Sequence, residues 1–465
     1  MKFISTRGHS SADSFEEVLL TGLAPDGGLY IPQSLPAVDA DTLAEWKKLS
    51  YSELAFEIIR LFVDQEIPDA ELKTIVDDTY ARFSDPNVAP LKRLDKNEYV
   101  LELYFGPTLA FKDFALQLLG RLLDYFLQKR KQHVVILGAT SGDTGSAALE
   151  GCRDSEFVDM YILHPHNRVS EVQRRQMTSV IGDHINNIAI EGNFDNCQQI
   201  VKQAFADQSF LPDGYQLVAV NSINFARIMA QIVYYFSSGL ALLDQTGAIS
   251  FSVPTGNFGD IYAGYLAKKM GLPVDRLIIA TNKNDILHRF ISGNQYNLGS
   301  LEPSLSPSMD IMVSSNFERF LYDLFAGDTD KVTQFVTGLG ENAQHVSDEE
   351  WSMARSIFDS YRVDDDLTCQ TIREVFDQYQ FLIDPHTATG VRAAQECVDL
   401  NAPDCNPVIC LATAHPAKFS EAIERAGLET PELPVHLKNL FDREERFTVL
   451  ENDLDTVKQY IAETL

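Results

Sequence analysis

The chain has 465 residues, 45% hydrophobic and 23% charged, with a formal net charge of −29; it can bury a large core and is long for one domain, so two or three domains are expected. Its negative balance excludes a nucleic-acid partner, which would need a basic surface to release counterions, and its six cysteines, with no C-x-x-C pair, indicate neither a disulfide framework nor a structural zinc site. No apolar run approaches the length of a bilayer span and Met1 to Gly8 lack the apolar stretch of a secretory signal, so no membrane contact and a cytoplasmic location are expected.

The opening 90 or so residues carry helical patterns foreign to a parallel-sheet unit. Ser50-Tyr51-Ser52-Glu53 has the spacing of a capping box, and Leu72, Ile75, Val76, Tyr80 and Phe83 fall on one helical face before Asp85-Pro86-Asn87 breaks the pattern. From Leu101 onward apolar runs alternate with helical segments: Val134 to Leu137, Met160 to Leu163, Ile185 to Ile190, Leu217 to Val220, Ile249 to Val253, Leu277 to Ala280 and Val408 to Ala412. Such alternation predicts parallel sheets with helices on both faces and a ligand site beyond the carboxyl ends of the strands. Asp364-Asp365-Asp366 and the acidic tail are read as solvated surface.

Within this frame Lys112 stands out, because the run Tyr104-Phe105-Gly106-Pro107-Thr108-Leu109-Ala110-Phe111-Lys112-Asp113 embeds an ammonium among aromatic, aliphatic and turn residues. Apolar surroundings disfavour the charged form and prepare an amine for Schiff-base chemistry; the plainer reading is a lysine snorkelling to Asp113. Two glycine-rich loops favour the first reading. Val134-Val135-Ile136-Leu137-Gly138-Ala139-Thr140-Ser141-Gly142-Asp143-Thr144-Gly145 reads as strand, loop and helix start, and Ile249 to Val253 followed by Pro254-Thr255-Gly256-Asn257-Phe258-Gly259-Asp260 repeats that grammar. Glycines admit close backbone approach, and a helix start offers free N–H groups to an anion. A reactive lysine with two such loops suggests a cofactor carrying both an aldehyde and a phosphate.

This constellation resembles the fold-type II pyridoxal-phosphate enzymes and, among them, the threonine synthase family. The likeness runs from Ile4-Ser5-Thr6-Arg7-Gly8 and Ala24-Pro25-Asp26-Gly27-Gly28-Leu29-Tyr30 through the lysine motif and both loops. It continues through Asn221-Ser222-Ile223-Asn224-Phe225-Ala226-Arg227 to Leu411-Ala412-Thr413-Ala414-His415-Pro416-Ala417-Lys418-Phe419. One departure within the wider superfamily is Asp143, where many relatives carry asparagine; an ionised carboxylate cannot donate a hydrogen bond, so its contact is open.

The resemblance implies an α/β fold with parallel sheets flanked by helices in a large and a small lobe. A mostly helical N-terminal domain (1–90) precedes a catalytic region (91–465), whose mobile small lobe lies at about 125–220. It further implies a lyase that uses pyridoxal 5'-phosphate to convert O-phospho-L-homoserine and water to L-threonine and phosphate. Lys112 would hold the cofactor as a Schiff base and then move protons; Gly256, Asn257, Phe258, Gly259 and Asp260 would cup its phosphate, and Thr413 would face its ring nitrogen. Asp260 could instead be a simple helix cap. Ser141, Asp143 and Thr144 would surround the substrate carboxylate, while Asn221, Ser222 and Arg227 would hold the substrate phosphate, Arg227 overriding the protein's repulsive mean field at short range. The bland alternative for Arg227 is a surface salt bridge, and His415 is read as a packed loop histidine. No metal is expected, and the chain is expected to be a monomer or homodimer. The alternatives are a threonine or serine dehydratase, which needs no second phosphate site, and a paralogue that senses amino acids without turnover.

Overall fold

The computed structural model describes residues 1–243, 247–340 and 342–465. Two parallel sheets organise it. The larger runs in the order Phe358–Arg362, Val274–Thr281, Ile249–Pro254, Val408–Ala412, Glu98–Glu102 and Leu91–Arg93, parallel except for the last, which pairs antiparallel with its neighbour. The second is wholly parallel, in the order Thr448–Glu451, Ile185–Glu191, Val158–Pro165, Val134–Ala139 and Leu217–Val218. Strands such as Val134–Ala139 and Ile249–Pro254 are covered on both faces and therefore read as unbroken apolar runs.

The N-terminal stretch forms a three-stranded antiparallel sheet, Ser11–Ala12, Phe3–Ser5 and Tyr30–Pro32, and four helices, including Tyr51–Val63 and Asp69–Tyr80. The Ser50 capping box forms, with the hydroxyl accepting from the Glu53 amide and the Glu53 carboxylate accepting from the Ser50 amide. These helices share the main core: Tyr51 and Tyr80 lie edge-on and tilted against Phe114, on the helix Lys112–Arg130 that begins at the central lysine.

Three differences from the sequence reading have clear causes. The acidic tail is not all surface: Leu454–Thr464 is an amphipathic helix that buries Val457 and Ile461 against Val135 and Leu137, and Thr448–Glu451 adds an edge strand beyond the span 125–220. Its alternating exposure hides it among charged neighbours. In the aspartate triplet, Asp364 and Asp366 are exposed, the first capping the helix Asp365–Tyr379 and the second pairing with Arg425, whereas Asp365 is half-buried and binds Lys283 at 2.8 Å. The run Leu217 to Val220 is a strand for only two residues before the chain turns toward the site.

Candidate active site

The lysine segment is fixed beside the end of the strand Val408–Ala412. The Phe111 amide donates to the Thr413 carbonyl (2.9 Å), the His415 amide donates to the Leu109 carbonyl (3.1 Å), and Ala110 bridges Ala414. Lys112 and Thr413 thus enter one pocket from adjacent strands of chain. Asp113 points the other way: it accepts from the Thr108 amide and hydroxyl, both at 2.8 Å, and from Gln117 at 3.2 Å. It pins the turn at Gly106, where a Cβ would sit 2.4 Å from the Asp113 side chain. The snorkelling pair Lys112–Asp113 is therefore absent. Burial pushes the Lys112 amine below its usual pKa, opposed by the Asp143 carboxylate and reinforced by Arg227 and Lys418.

Asp143 heads the helix Asp143–Cys152, just past the first glycine loop. Gly142 (φ 141°) leaves room for Gln173, whose amide a Cβ would approach to 2.5 Å. Asp143 Oδ1 accepts from Gln173 Nε2 at 2.8 Å and lies 2.7 Å from Lys418 Nζ, while Oδ2 faces Ser308 Oγ at 3.4 Å and Lys112 Nζ at 3.5 Å. Burial alone would raise its pKa, but Lys418 and Lys112 hold it well below the ordinary carboxylate range. An ionised carboxylate has no donor for a substrate carboxylate, so the geometry corrects the expected contact: Asp143 faces lysines. Thr144 does line the Lys112 pocket; Ser141 is exposed and does not.

The second loop forms the opposite wall. Pro254 through Asp260 all line the pocket, ending at the start of the helix Gly259–Met270, whose free amides suit an anion. Phe258 takes φ 63°, and a Cβ on Gly256 would press within 2.9 Å of the Ser308 carbonyl, so loop and turn need this close approach. Asp260 is not a cap: Tyr234 and Tyr235 donate to its Oδ1 at 2.7 and 2.8 Å, Oδ2 has no partner among the described residues, and burial raises its pKa to about 6 against these two hydrogen bonds.

Arg227, at the start of the helix Phe225–Leu242, is 4% exposed and lines the same pocket. Its guanidinium makes a single hydrogen bond among the described residues, from Nη1 to the Val220 carbonyl (3.2 Å), and its Nε has none. Burial lowers its pKa to about 10. A helix-surface salt bridge is not what the chain builds. Ser222 joins this pocket, whereas exposed Asn221 lines a neighbouring cleft of about 850 Å³ that meets the pocket at Thr144.

Three contributors were not foreseen. Ser308 Oγ accepts from Lys112 Nζ at 3.3 Å. His386 lines the pocket and accepts the Ser308 amide at Nε2 (3.2 Å), with Nδ1 against Asp384 at 2.8 Å. Lys418 is fully buried, with Nζ donating to the Thr108 carbonyl at 2.8 Å. Asp384-Pro385-His386 carries a sequence signal, an aspartate N-cap followed by proline at the first helical position, and Lys418 lies next to last in the motif Leu411 to Phe419; Ser308 lies in a serine-rich stretch with no local signal. His415 caps a 3-10 turn and packs edge-on against Tyr104, as a packed loop histidine should.

Family models described as "Threonine synthase N terminus", "Pyridoxal-phosphate dependent enzyme" and "Threonine synthase, C-terminal" match residues 2–80, 86–413 and 387–461. The chain is 59% identical over 466 residues to a threonine synthase of Pseudomonas aeruginosa, covering 100% of this chain and 98% of the relative. It superposes on the PLP-bound threonine synthase of Brucella melitensis with TM-score 0.95 at 46% identity, covering 100% and 99% of the two chains. For the yeast threonine synthase the values are 0.94 and 40%, covering 100% and 98%. A tomato threonine deaminase, at 14% identity and TM-score 0.52 over 85% of this chain and 93% of that one, shares the fold alone.

Proposed function

The chain belongs to the threonine synthase family, and from that premise we propose that it converts O-phospho-L-homoserine and water to L-threonine and phosphate, with pyridoxal 5'-phosphate held at Lys112. The residues fit that cofactor: an amine for its aldehyde, a loop at a helix start for its phosphate, and the buried Thr413 hydroxyl for its ring nitrogen, all on one pocket. The observation that carries the substrate is Arg227, a buried guanidinium with an unpartnered Nε on that pocket, apart from the helix start assigned to the cofactor. Two phosphate sites suit a phosphorylated amino acid; a dehydratase needs only the cofactor's.

When bound, the cofactor supplies an electron sink that acidifies hydrogens on the substrate's Cα and Cβ. Lys112 Nζ, freed by the incoming amine, takes and returns those protons, with Ser308 Oγ orienting it. Arg227 and Ser222 hold the γ-phosphate and neutralise its charge as it leaves. Thr144 and the amides at the start of the helix Asp143–Cys152 receive the substrate carboxylate, with Asp143 set behind them among the lysines. The uncharged Thr413 hydroxyl, unlike an aspartate, need not keep the ring nitrogen protonated, which would temper the sink.

Phosphate release from phosphohomoserine, with threonine identified as product, tests the reading; β-elimination of threonine without phosphate release would replace it with the dehydratase. Lys112→Ala should lower turnover at least ~10³-fold, and borohydride should fix the cofactor to the Lys112 peptide, as mass spectrometry will read. We also place the N-terminal domain at 1–90 and a closing small lobe at about 125–220, joined by the C-terminal strand. Hydrogen exchange across 138–148 should slow with a non-reactive phosphonate analogue, and unchanged exchange at saturation would count against closure.

A further inference from the structure

We propose that Lys418, through its buried ion pair with Asp143, is a positioning residue that keeps the Lys112 amine uncharged while Lys112 handles protons. The inference rests on the reading above that Lys112 acts as a base. A base must be uncharged, and Asp143, 3.5 Å away and 4% exposed, works against that by favouring the ammonium form. Lys418 cancels it. Its side chain has no solvent exposure, and its Nζ is committed to Asp143 Oδ1 at 2.7 Å and the Thr108 carbonyl at 2.8 Å. Gln173 adds a neutral donor to Oδ1, leaving Oδ2 toward Ser308 and Lys112.

The pair is built across the molecule. Asp143 follows the strand Val134–Ala139 of the five-stranded sheet, and Lys418 follows Val408–Ala412 of the six-stranded sheet, so a neutral Asp143–Lys418 unit forms where the two sheets meet. The groups that meet Lys112 there are few. Arg227 adds positive charge from the helix Phe225–Leu242, Asp260 on the pocket wall is committed to two tyrosines, His386 is turned to Asp384 and the Ser308 amide, and Asp113 is committed to Thr108. Without Lys418, Lys112 would be the one ammonium beside Asp143. The bland reading is a tack between sheets, whose loss lowers stability and leaves the titration of Lys112 in place.

The two readings separate in a titration of Lys112 itself. Full-length protein freed of cofactor is labelled with trace acetic anhydride across about pH 6 to about pH 11, and the Lys112 peptide is quantified by mass spectrometry; kcat for phosphate release by the holoenzyme is profiled alongside. Lys418 is a like charge that depresses the Lys112 pKa, so in Lys418→Gln the labelling midpoint and the acid limb of kcat should both rise by about one pH unit or more. Asp143→Asn should shift both downward, Lys418→Arg should leave them near wild type, and the neutral double variant should lie between the single variants. An unmoved Lys112 midpoint in Lys418→Gln overturns the proposal. Should that variant not fold, the double variant, which buries no unpaired charge, is compared with Asp143→Asn, and coincident midpoints overturn it equally. If labelling shifts as stated while wild type releases no phosphate, the pair stands and the assigned reaction falls.

Discussion

Two arginines are buried to nearly the same depth in this protein and are used in opposite ways. Arg319 has no exposure, and every guanidinium nitrogen has an acceptor: Nε the Tyr30 carbonyl at 3.0 Å, Nη1 the Asn316 side chain, and Nη2 the Ile223 carbonyl at 2.6 Å. Arg227 is 4% exposed and its guanidinium makes one hydrogen bond among the described residues, with Nε left over. Burial lowers the pKa of both to about 10. A desolvated cation with unmade hydrogen bonds is costly, so it persists where something outside the chain completes it. The saturated arginine is a strut between the N-terminal sheet and the catalytic region; we propose that the unsaturated one is a socket for an anion.

The strut should fail by unfolding. Arg319→Ala strands three acceptors in the interior and should cost about 3 to 5 kcal/mol in urea unfolding. Activity per folded molecule should fall less than in Arg227→Ala. A stable Arg319→Ala protein with the larger kinetic loss would break the comparison.

A second test asks why Arg227 has no carboxylate of its own. Asp260 lines the same pocket but is held by Tyr234 and Tyr235, on the same helix as Arg227. Its pKa is raised from 3.8 to about 6, chiefly by burial. The folded state therefore binds more protons than the unfolded state between about pH 4 and pH 6, and stability from this group falls as pH rises through that window. Asp260→Asn removes the slope. Relative to wild type it should gain up to about 3 kcal/mol between pH 4 and pH 7.5, as read by urea unfolding at the two values. An unchanged difference would mean that Asp260 is ionised throughout and available to Arg227.

How these residues could be found from sequence differs as sharply as their roles. The run from Gly256 to Asp260 and Thr413 were legible as pocket residues because each follows an apolar strand, Ile249–Pro254 or Val408–Ala412, and Lys112 because its ammonium is set among apolar residues; their roles came from the family resemblance. Seven strands were legible from apolar runs, whereas Phe358–Arg362, in which only Phe358 is buried, and half-exposed Thr448–Glu451 were not. The partners that set the chemistry were hidden by distance. Ser308 meets Lys112 across 196 residues and supplies one oxygen, and the Asp143–Lys418 pair joins two sheets whose docking no single segment encodes. Asp143 was singled out by its glycine loop, but the lysines it faces were not foreseen.

The socket should fail by kinetics. If Arg227 reads the substrate phosphate, Arg227→Ala should leave colour and cofactor content intact and lower kcat/KM for phosphohomoserine by about 10- to 150-fold, the ~1.5 to 3 kcal/mol of a charge-assisted hydrogen bond. Stability should hold or rise, since an under-bonded buried cation is removed and only the Val220 carbonyl loses a donor. Asn257→Ala should behave oppositely, weakening cofactor retention before turnover, because it perturbs the loop at the helix start. Arg227→Lys keeps the charge but not the planar fork, and should recover part of the loss through KM if the site needs charge, or none if it needs two aligned donors. A yellow, stable Arg227→Ala protein with unaltered kcat/KM would take Arg227 out of the site. Its orphaned Nε would then need another ligand, and the dehydratase reading would reopen.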